Sequence, residues 1–468
     1  MKRLVLALAA AALLTACAPA VRFHPKPITP AVTAQQLESR SLSDPGLRRF
    51  MEKTLGHPLK AWPIEFWTQN DLMLAAYHFN PQMAIARAQA QAARAAITTA
   101  GERPNPLLTI APGIPSPYLL DLALSFPVQR AGRRRIKIAQ ATATSAAAEY
   151  ALAATAWKVR SGVRGAALNY FLVQRQLWLA QTLELLDSKT LGQLDARLAA
   201  GEAARPEVES ARLRLTNARL ALSAAQGRIR VAQAALAASV GVPVTAMEPI
   251  HYSWKSLDNP PNPASFSAAT IQREAVLNRL DVRQALAQYQ AAQAALQLEI
   301  ARQYPNFSIG SGYQFEEGNN YFTLPFSMVL PIFNRNQGPI AEAEARRKEA
   351  AARFLAVQAN AIAQSEAALA RYHAAYSELA EARKGLGQMQ NVQEPAARAA
   401  MQVGEQDSLF YNGVLVQGTA VTAAYNSAVD RVQTALGALE DAVERPLEAG
   451  EVALPRPGDS DDSEKRVP

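Results

Sequence analysis

Hydrophobic and polar side chains alternate with a period of two at about 106–128 and 305–331, and each region predicts a β-hairpin. The apolar positions of the second region are Phe307, Ile309, Tyr313, Phe315, Phe322, Leu324, Phe326, Met328 and Leu330. Its turn is predicted at 316–320. Strands of about ten residues with one apolar face are typical of a transmembrane β-barrel. A half-buried hairpin of a soluble protein has the same pattern, but no other sheet is predicted against which it could pack.

Long segments after both hairpins predict very long helices. The first, at about 131–200, has no proline from Arg133 to Ala199, and ~1.5 Å per residue gives it a length of roughly 100 Å. The second, at about 339–402, contains Pro395, which should kink it about two turns before its end. Helices of this length indicate coiled-coil packing. Two further helices are predicted, at about 205–240 and 407–444.

These segments are copies of one another at an offset close to 203 residues. Gly201-Glu202 recurs as Gly404-Glu405, 203 residues later. Each copy is predicted to contain a helix, a β-hairpin, a very long helix and a further helix. The fold class is therefore mainly α with a small β part. The copies are placed at 62–246 and 270–446, with a linker at 247–269.

The N-terminus has the pattern of a secretory signal peptide. A basic start precedes an apolar run of eleven residues, Leu4 to Leu14, which is too short to span a membrane. The run ends in Leu14-Thr15-Ala16-Cys17, which resembles a bacterial lipobox. We expect removal of residues 1–16 and lipidation of Cys17, including palmitate; the alternative is an ordinary cleavage site beside a lone cysteine. The residue after Cys17 is not Asp, which favours the outer membrane.

Both ends of the mature chain are rich in proline or acidic residues. Residues 17–61 are predicted to be an extended tether with little regular structure. Residues 447–468 are predicted to be a disordered tail.

The composition excludes several classes of function. The chain has 468 residues, a formal charge of +8, one cysteine and five histidines, so neither a disulfide nor a thiolate zinc site is expected. No phosphate-binding glycine motif occurs, and no cofactor, metal or enzymatic activity is expected. The basic run Arg133-Arg134-Arg135, with Lys137, is explained by a solvated helix start or a lipid-headgroup contact rather than by nucleic acid.

Three motifs resemble those of the TolC family of outer-membrane efflux channels, over roughly residues 62–446. Gly132-Arg133-Arg134 resembles the family's strand-to-helix junction, and Gly241-Val242-Pro243-Val244 resembles its repeat ending. The turns at Gly201 and Gly404 resemble its periplasmic helix tips. The resemblance implies a homotrimer with an α-barrel and a 12-stranded β-barrel. The physics agrees in part, because four strands cannot close a barrel in lipid.

The resemblance also implies site residues and partners. A periplasmic adaptor would contact the tips at Ala200, Gly201, Glu202, Val403, Gly404 and Glu405. An inner-membrane pump, of the proton-driven RND type, would deliver substrate. Acidic residues past the tips line the constriction in some members, which makes Glu207 and Asp407 gate candidates. Phe410 stands where the second acid is expected. Glu207 has an alternative explanation as a first-turn acid favoured by the helix dipole.

The implied function is a passive outer-membrane exit duct with a long periplasmic part. Two alternatives stay open at this stage: a non-conducting coiled-coil lipoprotein of the periplasm, and the exit duct of a type I protein secretion system. The sequence does not identify the cargo.

Overall fold

The computed structural model describes residues 23–113, 119–130 and 132–447. The predicted signal peptide, lipidated Cys17 and nearly all of the predicted tail lie outside the described residues. The chain divides into two compact units, Met1–Arg40 and Ser41–Pro468. The described part of the first unit contains one helix, α1 (Pro30–Glu38), whose residues are all exposed.

The prediction of an extended tether is wrong for the described part of 17–61. In addition to α1, this segment contains α2 (Pro45–Leu55), with which the second unit begins. Leu47 and Met51 of α2 are fully buried. The Asp44 side chain accepts hydrogen bonds from the first backbone amides of this helix. Proline at the first helical position is compatible with a helix, because that amide needs no partner. Two prolines of the predicted tether, Pro30 and Pro45, therefore begin helices.

The rest of the second unit shows one order of elements twice. Its first half contains β1 (Phe66–Trp67), α3 (Gln69–Phe79), α4 (Pro81–Gly101), β2 (Leu107–Pro112), β3 (Leu119–Val128), α5 (Arg133–Ala199) and α6 (Arg205–Val240). Its second half contains β4 (His251–Tyr252), α7 (Ala268–Asn278), α8 (Leu280–Ala301), β5 (Phe307–Glu316), β6 (Asn319–Thr323), β7 (Phe326–Met328), α9 (Gln337–Gln388), α10 (Glu394–Gln402) and α11 (Ser408–Val443). Two helices precede each hairpin, where one was predicted.

The hairpins of both halves form one antiparallel sheet in the order β2-β3-β5-β6, with β7 also paired to β5. The last strand was predicted to be continuous, but the ladder is interrupted at Pro325, which has no amide to donate. The carbonyl of Pro325 still accepts a hydrogen bond of 3.0 Å from the Gly310 amide, so the register is kept. The turn is shorter than predicted and comprises only Glu317 and Gly318.

A second, two-stranded sheet was not predicted. In it β1 pairs in parallel with β4, and Phe66 lies opposite His251. Strands of two residues are too short to show an alternating pattern, which is why the expectation of a single sheet is wrong.

The second long helix is broken rather than continuous. A π-helical turn at Met389–Gln393 separates α9 from α10, two residues before Pro395. Proline cannot donate the helical hydrogen bond to the fourth residue before it, and a π turn is one way to accommodate this loss. The disturbance predicted for Pro395 therefore occurs, as a local change of helix type.

Two hydrophobic clusters pack against the middle of α5. One joins α5 to α2, α3 and α6, and the other joins it to α7, α9 and α11. Many of the buried residues are alanines, whose small side chains let helices approach closely. The middle of α5 therefore connects the two halves of the chain.

None of the helices in the described ranges is both long and apolar enough to cross a lipid bilayer.

Candidate functional site

The first helix tip is a compact glycine turn. Helix α5 ends at Ala199, and Gly201 has a φ of +78°, a left-handed conformation that favours glycine. The amide of Glu202 donates to the carbonyl of Arg197 (2.8 Å), and the amide of Gly201 donates to that of Leu198 (3.1 Å). This pair of bonds is a Schellman motif, which satisfies carbonyls that the helix end would otherwise leave free.

The second tip repeats this geometry after α10. Gly404 has a φ of +80°, and its amide donates to the carbonyl of Met401 (3.3 Å). The amide of Glu405 donates to the carbonyl of Ala400 (3.0 Å). All six of the predicted contact residues are exposed, namely Ala200, Gly201, Glu202, Val403, Gly404 and Glu405. Both tips therefore present the same turn to solvent.

Side chains of the two halves meet at these tips. Arg197, near the end of α5, forms an ion pair of 2.7 Å with Asp407, the residue before α11. About one helical turn before Arg197, Gln193 donates to the Ser408 hydroxyl (2.9 Å) and accepts from the Asn412 amide (3.1 Å). Of these residues only Asp407 is predicted from the sequence, because contacts between helices from different halves leave no local pattern.

The three gate candidates differ in their surroundings. Glu207 is exposed in the first turn of α6, and Phe410 is exposed in the first turn of α11. Asp407 caps α11, because its carboxylate accepts a hydrogen bond of 2.7 Å from the Phe410 amide. This bond, together with the ion pair to Arg197, lowers the pKa of Asp407 below its ordinary value. Asp407 therefore has a structural role at the start of α11.

The sheet has one apolar face and one small or polar face. The register places Leu122 opposite Ile110 and Tyr313, and the apolar face continues through Phe322 on β6. Members of the other face include Ser125, Ser308, Gly310, Gly312, Gln314 and Ser327. Strands β3 and β5 have ten residues each, or about 33 Å. With a tilt of roughly 40°, this length spans an apolar band of about 25 Å.

The strand-to-helix junctions are fixed by hydrogen bonds to helix ends. The Arg133 guanidinium donates to the carbonyl of Ala301 at the end of α8 (3.2 Å) and to the side chain of Asn306 (2.9 Å). Arg134 donates to the carbonyl of Gly101 at the end of α4. Two arginines of the basic run thus donate hydrogen bonds to helix carbonyls. The sequence did not predict this role.

Within the described residues, no group of three or more histidine, cysteine, aspartate or glutamate side chains is placed to hold a metal ion.

Sequence comparison finds related proteins of known role. No protein-family model matches the chain. The cobalt-zinc-cadmium resistance protein CzcC of Cupriavidus metallidurans is 25% identical over 235 residues, which cover 50% of this chain and 55% of that protein. The pyoverdine export outer membrane protein OpmQ of Pseudomonas aeruginosa is 25% identical over 228 residues, 47% of each protein. The chain thus spans about half the length of the curated relatives it matches.

Solved structures share the fold over most of the chain. The CmeC outer membrane channel of Campylobacter jejuni superposes with a TM-score of 0.67 and 13% identity, covering 96% of this chain and 97% of that one. CusC, in crystal structures that concern transmembrane channel formation, superposes with a TM-score of 0.65 and 20% identity, covering 83% and 95%. At these identities the similarity establishes the fold.

Proposed function

We propose that this chain, which has the fold of the TolC family of outer-membrane channels, is the passive exit duct of a tripartite efflux system. One observation carries the proposal: both halves join a hairpin of the apolar-faced sheet to a helix that leads to a glycine tip. Helix α5, with 67 residues, is about 100 Å long. This connection would place membrane strands at one end of the duct and docking turns at the other.

The sheet supports a trimer. Strand β2 pairs only with β3, and β6 and β7 pair only with β5, so both edges of the sheet lack a partner strand within the described chain. An open edge cannot persist in lipid, because its amides and carbonyls would lose their hydrogen bonds. Several copies would therefore close the barrel. If β6 and β7 are counted as two parts of one interrupted strand, three copies would give the twelve strands that the family resemblance implies.

Helix α6 has a face suited to a second copy. It packs on α5 and α3 in its own chain, yet Leu213, Leu220 and Val231 are more than half exposed. Leu213 and Leu220 are seven residues apart, which is the heptad spacing of a coiled-coil interface. We assign this face to the neighbouring subunit, which would continue the chain's own helix pairs into an α-barrel.

The exposed tips and the family resemblance support the proposed partners. A periplasmic adaptor would dock on the exposed glycine turns at Gly201 and Gly404, and an inner-membrane pump of the RND type would supply the driving force. The names of the relatives concern different compounds, with cobalt-zinc-cadmium resistance for CzcC and pyoverdine export for OpmQ. Such diversity agrees with a duct whose pump selects the substrate.

We place the gate where the tips converge. Three copies of Glu207 would form a ring of carboxylates that attracts cations, and Phe410 would add an apolar constriction. In this proposal Asp407 caps the start of α11 and thereby fixes the position of Phe410. The duct would rest closed at this end.

Planar-bilayer recording tests the duct and its gate together. The purified protein should conduct ions, and Glu207→Ala and Phe410→Ala should raise the resting conductance, with lower cation preference for the first. Glu209→Ala, which removes an exposed carboxylate two residues away, is the matched control and should behave like the parent. Absence of any conductance from the parent and from both gate variants would favour the non-conducting lipoprotein. If neither variant changes the conductance, Glu207 and Phe410 are not part of the gate.

The protein belongs in the outer membrane, and we propose that lipid on Cys17 adds a second attachment. Mass spectrometry of the membrane-extracted protein should show a chain that begins at a lipid-modified Cys17. A mature chain that begins elsewhere would contradict this part of the proposal.

A further inference from the structure

Charge is distributed unequally between the two ends of the sheet. Eight basic residues flank the end that continues into the long helices: Arg103, Arg130, Arg133, Arg134, Arg135, Lys137, Arg302 and Arg335. We call this set the basic collar. The acidic residues beside it are Glu102 and Glu299. The opposite end carries Asp121, Glu316 and Glu317, and no basic residue lies in its described part.

Half of the collar already has a structural partner or is partly covered. Arg133 and Arg134 bind the helix ends described above, Arg302 pairs with Glu299, and Lys137 is half-buried. The other four collar residues are exposed arginines that pair with no carboxylate of the described chain, namely Arg103, Arg130, Arg135 and Arg335. No carboxylate of the described chain therefore compensates their charge, although Arg130 lies over the Phe307 ring, 5.9 Å from its centroid.

These arginines stand beside exposed apolar side chains. Between β7 and α9, Ile332 is 69% exposed and Phe333 is 97% exposed, two residues before Arg335. Tyr304, between α8 and β5, is also exposed. Aromatic side chains next to basic ones are typical of the level at which lipid headgroups meet acyl chains.

We propose that the basic collar binds the phosphodiester headgroups of anionic phospholipids in the leaflet that faces the helices. The proposal rests on the proposed function, because only a membrane-spanning sheet brings this level to a lipid surface. A guanidinium group matches a phosphate with two parallel hydrogen bonds, and its charge favours an anionic over a zwitterionic lipid. Ile332 and Phe333 would enter the adjoining acyl region.

The test uses the full-length protein in neutral-detergent micelles. Phosphatidylglycerol or phosphatidylcholine is titrated in, and bound lipid is counted by native mass spectrometry. The variant replaces Arg103, Arg130, Arg135 and Arg335 with glutamine. A matched control replaces four exposed basic residues of the helices, Lys189, Arg228, Arg230 and Arg371, with glutamine.

The parent should bind phosphatidylglycerol in preference to phosphatidylcholine. One basic residue near an anionic surface changes binding by roughly fivefold, so the collar variant should lose at least about tenfold in affinity. The control should retain the parental affinity. The proposal is overturned if both variants lose equally, if neither loses, or if the parent shows no lipid preference.

Two further arms separate the sources of the effect. Inorganic phosphate should displace no more lipid than sodium chloride of the same ionic strength does. Greater displacement would show that the collar binds free phosphate rather than a membrane lipid. Conductance of the collar variant in a phosphatidylcholine bilayer should equal that of the parent. Absence of lipid preference in a protein whose parent or gate variants conduct would refute the collar alone, whereas absence of conductance from the parent and from both gate variants, Glu207→Ala and Phe410→Ala, would refute the duct.

Discussion

Replacing Glu440 with glutamine should destabilise the junction between the two halves of the chain. The Glu440 carboxylate on α11 lies 2.9 Å from the Arg160 guanidinium and 3.3 Å from that of Arg164, both on α5. The three side chains are only 0%, 2% and 6% exposed, respectively. Water can therefore not replace the carboxylate.

The magnitude follows from this burial. Removing one partner of a buried ion pair costs about 3–5 kcal/mol, because the remaining charge stays buried without compensation. Glutamine keeps the shape and can still accept the amide hydrogen bond from Leu447, and Arg164 keeps its bonds to Gln433 at 2.8 and 2.9 Å. We therefore expect about 3 kcal/mol, the lower part of that range.

A matched control is the exposed pair between Arg431 and Glu378, which also joins α11 to a long helix, α9. These side chains are 56% and 52% exposed, so Glu378→Gln should cost at most about 1 kcal/mol. Thermal unfolding followed by circular dichroism in detergent compares the two variants. Equal melting temperatures for Glu440→Gln and Glu378→Gln would refute the reasoning from burial.

The remaining predictions concern the sheet and the tips. Leu324→Arg, on the apolar face, should cost about 2–4 kcal/mol at the bilayer midplane, whereas Ser327→Arg on the other face should cost far less and change conductance; equal folding yields in lipid vesicles would show the face assignment to be wrong. Gly404→Ala should destabilise the second tip by about 1 kcal/mol, because alanine is strained at positive φ, and hydrogen exchange at the turn should rise. The pKa of Asp407 is lower in the folded protein than in the unfolded chain, so its carboxylate stabilises the tip at pH values above the unfolded-state pKa. This stabilisation is lost as the pH falls through the folded-state pKa. The protection factor of the Phe410 amide, which corrects for the intrinsic pH dependence of exchange, should therefore fall at acid pH in the parent and should already be low at neutral pH in Asp407→Ala; a variant with parental protection would contradict the cap.

Local patterns were sufficient to predict the main elements. Alternation of apolar and small residues predicted the strands that the register now pairs, such as Leu122 with Tyr313. A long segment without proline predicted α5, which has 67 residues. Both signals depend only on neighbours along the chain, because strand and helix periodicity are properties of a single segment.

Proline shows where local reasoning was insufficient. The richness in proline of residues 17–61 predicts an extended tether, but Pro30 and Pro45 each begin a helix. The same residue type interrupts the ladder at Pro325 and accompanies a π turn at Pro395. Proline restricts φ and removes one amide donor, and which structure results depends on whether that amide had a partner to lose.

Contacts between the halves were beyond any pattern in the sequence. Arg160 and Arg164 look like ordinary polar positions of a helix. Glu440 follows them in the sequence by 280 and 276 residues. They become a buried ionic cluster only because the packing of α5 against α11 excludes water from all three. Arg133 likewise became a cap for α8 because the sheet brings that helix end beside it. Alternation and helix length come from short-range sterics and hydrogen bonding, whereas burial and partner choice come from segments far apart in the chain that meet only after folding.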